Sequence, residues 1–431
     1  MESIWSGQTD IPRFEPLKNN IKTDVLVIGG GIAGILCARL LKDAGVECVL
    51  VEADRVCSKI TKNTTAKITI QHGLIYSKLL GRFGKQKTLM YLNANQAALQ
   101  KFRELCKDID CDFEEKDSFV YSLSDRFIIE KELSSLNTLD FKADFVSELP
   151  LPFSVAGAVR FKNQAQFNPI KFLSAVTDGL EIYEQTRVLE VSDDTAVTEH
   201  SKIEFKKAIV ATHFPFINKH GSFFMKMYQH RSYVVALKNV PDVNGMYVDQ
   251  AENGLSFRNY NGHLLLGGGG HRTGTSGGGW QGLTDFAKKY YPESEEVCRW
   301  ATQDCMTLDG VAYIGNYSAL TENIYVTTGF NKWGMTSSMV GAMILSDIIM
   351  EKKNPYCEMF SPSRTILRPQ LAVNMAHYVA DLLSFSQKRC PHLGCALKWN
   401  KFEHSWDCPC HGSRFTQDGN LIDNPATGDI K

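Results

Sequence analysis

The spacing of apolar residues changes several times along the chain. Residues 25 to 28, Val-Leu-Val-Ile, form an unbroken apolar run that suits a parallel strand buried on both faces. From Ile32 to Lys42 the spacing becomes helical, and "ECVLVE", ending at Glu52, reads as a second buried strand. Helical stretches such as "LNANQAALQKFRELCKD" and short strands occupy 77 to 149, and β-rich segments, "SYVVALKNV" and "GHLLLGGGG", occupy 225 to 299. Further on, a β-rich run to Thr328 breaks at Gly329 and loops through Gly334 into an amphipathic helix, with Thr336 or Ser337 as the expected N-cap. A proline-punctuated stretch, 353 to 370, leads to a predicted helix, "LAVNMAHYVADLLSF", and then almost directly to a cysteine-rich tail. The longest near-apolar stretch, "MVGAMILSDIIM", falls short of a membrane span.

Composition narrows the function classes. A chain of 431 residues with 43% hydrophobic content can bury a large core and should divide into two or three domains. A net charge of -1 without any basic run gives no electrostatic reason to expect nucleic acid or anionic membrane as a partner, so small-molecule chemistry is expected. The opening "MESIWSGQTD" lacks the charged and apolar regions of a signal peptide, and a cytoplasmic location is the expectation. Of twelve cysteines, eight (Cys37, Cys48, Cys57, Cys106, Cys111, Cys298, Cys305, Cys357) are scattered without framework spacing and read as free or buried thiols.

Between the first strand and helix lies G-x-G-x-x-G as Gly29, Gly31 and Gly34, with Ile32 and Ala33 between the last two. The first glycine suits a tight turn, the second a close approach of backbone to a pyrophosphate, and the third close packing of helix on strand. The pyrophosphate would rest on the helix N-terminus, where unpaired N–H groups and the helix dipole favour an anion. Glu52 is placed to accept from the adenosine ribose hydroxyls.

This unit, with "FKKAIVATHFPF" (205 to 216), "TLDGVAYIG" (307 to 315) and "IYVTTGFNKWGMTSSMVGAMILSDII" (324 to 349), resembles the D-amino-acid oxidase-like family of FAD-dependent oxidoreductases over roughly residues 1 to 356. The resemblance implies that Val188 lines the adenine pocket and that Ala211 and Thr212 return to the dinucleotide fold. It also places Thr65, Asp309 and the run of Gly329, Gly334, Met335 and Thr336 at the flavin. A helix start aimed at the pyrimidine edge of the isoalloxazine would stabilise negative charge on the reduced ring. The intervening segments should roof the flavin with an antiparallel sheet that sets specificity. Arg258, in "LSFRNY", is then a candidate clamp for a substrate carboxylate, with a plain surface arginine as the alternative. Lys67 and Lys332 are candidates near the reactive ring, against ordinary solvated lysines, whereas His72 and His213 read as structural. Cys305 lies closer to Asp309 than covalent relatives require, so non-covalent FAD is expected.

The tail carries Cys390, His392, Cys408 and His411 in the spacing C-x-H and C-x-x-H. Two thiolates and two imidazoles suit tetrahedral zinc, but one Cys and one His from each half also suit two irons with different ligand sets. The flanks "HLGC" and "CPCHGSRF" resemble Rieske [2Fe-2S] proteins over about 386 to 425. That resemblance assigns Cys390 and Cys408 to the inner iron, His392 and His411 to the outer iron, and Cys395 with Cys410 to a disulfide joining the two loops. Ser413 occupies a position that donates a hydroxyl to the cluster in high-potential relatives, and Phe415 stands where many carry tyrosine, so one donor is missing and a lower potential is implied. The usual strands before the first ligand are absent, so this lobe should pack on the flavoprotein or on a second subunit.

The expected fold is α/β. An FAD-binding Rossmann-like domain (1-76, 150-224 and 300-356) carries an inserted antiparallel-sheet substrate domain (77-149 and 225-299). A linker and helix (357-385) and a small C-terminal β-type Rieske lobe (386-431) follow. The expected function is oxidation of an amine or amino acid, with electrons passing from FAD through a [2Fe-2S] cluster to an external acceptor, for which a one-electron carrier protein is a candidate. A homo-oligomer is compatible with this expectation. The rivals are a reductase running from ferredoxin through the cluster to FAD, and a non-enzymatic redox sensor. An oxygenase is disfavoured because no convincing two-His, one-carboxylate iron site stands out.

Overall fold

A computed structural model describes every residue except Met1, Gln8, Asp10, Phe385, Gln387 and Lys431. Phe385, the expected end of the linker helix, lies outside the described residues, as do Met1 and Lys431 at the outer limits of the expected domains.

The first apolar run becomes the strand Ile21–Ile28 at the centre of an eight-stranded sheet. It pairs in parallel with Cys48–Val51 on one side and Lys202–Val210 on the other. Lys202–Val210 in turn pairs in parallel with Ile324–Thr328. The turn after Ile28 leads straight into the helix Ile32–Asp43. Gly29 sits at φ +113°, and a Cβ there would come within 2.7 Å of the Ala211 carbonyl oxygen. Gly34 is tighter still, because its Cβ would lie 1.9 Å from the Gly29 carbonyl oxygen. Gly34→Ala will therefore push helix from strand and empty the nucleotide site. The purified variant should lack the flavin absorbance of the wild type, and a normal flavin-to-protein ratio would contradict the packing argument.

A nine-stranded second sheet stands over the C-terminal ends of the parallel strands. Its long members are Glu295–Thr307, Met227–Lys238, His263–Arg272, Glu114–Ser122 and Gly157–Gln166. The expected substrate-domain limits differ from this sheet, which takes in Gly157–Gln166 and Glu295–Thr307, because alternating strands carry no mark of the sheet they join. Pairing is antiparallel except where Met246–Asp249 runs parallel to Glu114–Ser122. The helix Gly334–Ile349 packs back on Ile32–Asp43. Its N-cap is Trp333, three residues before Thr336. The Thr336 hydroxyl is committed elsewhere, donating to the Thr69 carbonyl at 3.0 Å.

The tail forms a four-stranded antiparallel meander, Lys398–Asn400, Ser405–Asp407, Arg414–Thr416 and Leu421–Asp423, preceded by the helix Pro369–Leu383. Its buried apolar cluster is small: Cys390, Cys395, Leu397, Cys408, Cys410, Phe415 and Ala426. The lobe is completed by docking on the rest of the chain. Arg231 of the roof sheet pairs with Glu403, and Arg414 reaches Glu403, Asp407 and Asp423 at 2.9, 3.0 and 3.2 Å. None of the eight scattered cysteines forms a disulfide. Among the described residues no helix is long and apolar enough to cross a membrane.

Candidate functional site

A cavity of about 680 Å³ opens along the C-terminal ends of the parallel strands. Gly29, Gly31, Ile32 and Ala33 line one end with Glu52 and Val188, as a dinucleotide site in such a fold requires. The Glu52 carboxylate is oriented by the Gly30 amide at 2.6 Å and the Asp54 amide at 2.8 Å. Ala211 and Thr212 form the neighbouring wall. Toward the roof the lining passes to Thr65, Lys67, Lys332, Gly334 and Met335. The cradle fits FAD: a long slot, glycines where a Cβ would collide with backbone, and backbone N–H groups at a helix start.

Five expected contacts lie elsewhere. Gly34 is spent on helix packing, as its spacing foretold. Arg258 is fully buried beneath the roof and donates to the carbonyls of Thr65 and Ala66, both at 2.8 Å, so its guanidinium props the loop that carries Lys67 and does not line the cavity. Asp309 is buried against Arg364 at 3.1 Å and anchors the linker. Gly329, at φ +74°, lies behind the lining, where a Cβ would meet Thr307 at 2.4 Å. Thr336 is held by Thr69 and by His72, a structural histidine as expected.

The reactive end is crowded with charge. Burial lowers Lys67 to about 7, and the neighbouring Arg258 charge acts in the same direction. Lys332 is also lowered by burial, against the pull of Asp304 and Glu252, while burial raises Asp304 to about 6. Asn331 and Lys332 both sit at positive φ, 50° and 73°. The Asn331 side chain holds that conformation by accepting from the Thr307 amide at 2.8 Å and donating to the Gly329 carbonyl at 2.6 Å. Two consecutive left-handed non-glycine residues store strain that the site must justify. Cys305 lines the cavity, and burial holds its thiol protonated.

The four candidate metal ligands, Cys390, His392, Cys408 and His411, come from two loops. The Cys390 sulfur receives the amides of His392 and Leu393, and the Cys408 sulfur those of Cys410 and His411. The two thiols hydrogen-bond each other, and that contact is the largest cause lowering Cys390 and raising Cys408. The rings of His392 and His411 stand 5.0 Å apart. Each Nδ1 is buried without a hydrogen-bond partner, and burial lowers the rings to about 4 and about 3, which keeps them neutral. Two orphaned imidazole nitrogens and two adjacent thiols fit the donor set of a [2Fe-2S] centre. Cys395 and Cys410 are joined as a disulfide that packs beside Cys408.

The two sites share a wall. Leu421, Asp423, Asn424, Ala426 and Thr427 of the tail line the cavity, and Asn424 Nδ2 donates to the carbonyls of Thr212 at 2.6 Å and Phe214 at 2.8 Å. The Phe214 ring lies 6.5 Å from His392 and 6.4 Å from His411. Gln229, opposite Cys305 in the roof sheet, donates from Nε2 to the His411 and Asn424 carbonyls, both at 2.9 Å. Gln303 Nε2 supports it by donating to the Gly412 carbonyl at 2.9 Å. None of His213, Gln229 or Gln303 carried a sequence signal beyond residue type, although His213 stands in the quoted "ATHF" strand end and lines the cavity.

A family model for FAD dependent oxidoreductases matches residues 24–348. The chain belongs to that family. A model of the Rieske [2Fe-2S] domain matches residues 370–431, so this flavoprotein carries a Rieske domain and its cofactors are FAD and a [2Fe-2S] cluster. The putative Rieske 2Fe-2S iron-sulfur protein YhfW of Bacillus subtilis (strain 168) is 33% identical, over the whole of this chain and 97% of the relative. Among solved structures, glycine oxidase from Geobacillus kaustophilus shares 18% identity with a TM-score of 0.66, over 80% of this chain and 99% of that one. L-proline dehydrogenase from P. horikoshii shares 16% with a TM-score of 0.67, over 80% and 98%. These two likenesses establish the flavoenzyme fold of the oxidoreductase part.

Proposed function

We propose that this oxidoreductase removes two electrons from an amine or amino acid at a C–N bond and delivers them singly, from flavin through the Rieske cluster, to an external acceptor. The observation that carries this reading is the shared wall: residues 421 to 427 of the metal lobe close the flavin cavity, and Gln229 joins its roof to the carbonyl of His411. The fold relatives named for glycine and L-proline support an amino-acid or amine substrate by analogy. FAD supplies a hydride acceptor that can release single electrons, and the cluster supplies a one-electron carrier.

The chain's own residues take the remaining roles. Gly29, Gly31, Ile32, Ala33, Glu52, Val188, Ala211 and Thr212 hold the nucleotide half of FAD, while Thr65, Lys67, Gly334 and Met335 surround the ring. Cys390 and Cys408 ligate one iron, and Nδ1 of His392 and His411 the other. Lys332 orients an anionic group of the substrate, and Asp304, with its pKa raised to about 6, offers a carboxylate near neutrality to take the substrate's ammonium proton. The roof and the tail wall exclude water.

An anaerobic screen of amines and amino acids tests this. A true substrate will bleach the flavin band, and spin resonance will then show the reduced cluster. In a His392→Ala, His411→Ala double variant bleaching will persist, but turnover with a one-electron acceptor will collapse; unchanged turnover would refute the relay. Titration with reduced ferredoxin in place of substrate separates the reverse direction of flow.

A further inference from the structure

The helix Pro369–Leu383 is inside out. Its buried positions are polar: Asn374 accepts from Arg272 Nη1 at 2.9 Å, and Asp381 lies under the lobe with Lys398 at 3.7 Å. Its apolar residues face solvent, with Val373 47%, Val379 49% and Leu383 77% exposed, and Met375 and Leu382 beside them. An ordinary surface helix turns its apolar stripe to the core. A contiguous apolar face of this kind marks an interaction site.

The helix borders the metal centre. Tyr378 lies 5.9 Å from the His411 ring. Arg389 donates to the carbonyls of Leu382, Ser384 and Gly394, which ties the helix end to the loop of His392. On the other side of that loop, His392 Nε2 meets Asn218 Oδ1 at 2.9 Å, where Asn218 and Lys219 are exposed. The surroundings are one-signed. Segments 211 to 226 and 359 to 402, which carry the helix and both flanks of His392, hold eight Lys and Arg and one acidic residue, Asp381; Arg364 is spent on the buried Asp309 and Lys398 on Asp381, which leaves six basic residues outside any ion pair among the described residues, in a chain of net charge -1. Asp381 is buried and already paired with Lys398.

We propose that the outward face of helix Pro369–Leu383, with the basic rim of Lys219 and Arg389 beside His392, is the docking surface for a small acidic one-electron carrier protein. The proposal rests on the relay reading above and names the class of its acceptor. A second copy of this chain fits poorly, because a two-fold contact through this face would set like charges against each other. A carrier fits the apolar patch, the basic rim and the position of His392 together, since steering by opposite charge sets encounter and the apolar centre holds it.

The test is binding, measured calorimetrically with the full-length protein holding FAD and cluster. The probes are an acidic plant-type ferredoxin and an acidic flavodoxin, with basic cytochrome c as control. At least one acidic carrier should bind and cytochrome c should not, with affinity falling about tenfold or more between roughly 0.05 and 0.5 M salt. Val379→Glu and Lys219→Glu should each weaken binding by about tenfold, with the spin-resonance signal of the cluster unchanged to show an intact lobe. The proposal is overturned if neither acidic carrier binds or if both variants bind as well as wild type. It is equally overturned if Val379→Glu instead abolishes flotation with phosphatidylglycerol vesicles, or converts a dimer to a monomer. Binding is read without turnover, so loss of the relay reading would leave this result standing, and the reverse also holds.

Discussion

Replacing Cys408 with serine will give a protein without iron or inorganic sulfide that also releases FAD faster than wild type. Four of the seven buried residues of the lobe's cluster are cysteines, two of them the proposed inner-iron ligands. With so little other apolar surface, the cluster is the lobe's main source of cohesion, as in small domains whose metal binding is coupled to folding. Once the lobe loosens, residues 421 to 427 leave the cavity and one wall of the nucleotide site opens to water. Iron analysis reads the first effect, and flavin fluorescence after dilution reads the second. Full retention of FAD beside a protease-resistant, iron-free tail would show that lobe and cavity are independent.

Arg414→Met will have the largest effect on stability. It leaves Glu403, Asp407 and Asp423 buried around a position that no longer carries charge, with Arg231 compensating Glu403 alone at short range. Removing one partner from a buried ion network costs about 3–5 kcal/mol. Hydrogen exchange should show the meander and the interface strand of Arg231 losing protection while the parallel sheet keeps its own. The network also sets an acid limit. Burial raises the Asp423 carboxyl, but the attraction of Arg414, Arg231 and Lys59 outweighs it and the net shift is downward. Its stabilisation is therefore fully present above the ordinary aspartate value of 3.8 and is lost as pH falls below it, so wild-type docking should weaken under acid before the flavoprotein sheet does.

Local chemistry made much of this legible in the sequence. Gly29, Gly31 and Gly34 announce a turn that only a small set of backbones can make, and the tail's C-x-H and C-x-x-H spacing announces two loops whose cysteines and histidines come together. The failures share one cause. The place of Arg258 on a roof strand suggests a clamp, but the period of a strand does not say which face meets the cavity, and here the guanidinium turns toward the carbonyls of Thr65 and Ala66. Asp309 was assigned to the cofactor, whereas its partner, Arg364, stands 55 residues later. Gln229 and Gln303 carry no such mark, since their partners are the carbonyls of residues 411 and 412 respectively, more than a hundred positions downstream. The basic surround of His392 was hidden for a related reason: its lysines and arginines come from separate segments, and the overall charge near zero masks them.

The tail's share in the cavity bears on biogenesis. Gly29 and the last wall residues, up to Thr427, stand far apart in the sequence, so the wall that closes the nucleotide pocket is synthesised long after the glycine turn. Until the tail is docked the nucleotide cleft lacks one wall, so the fold of the metal lobe and the closure of the flavin cavity are linked.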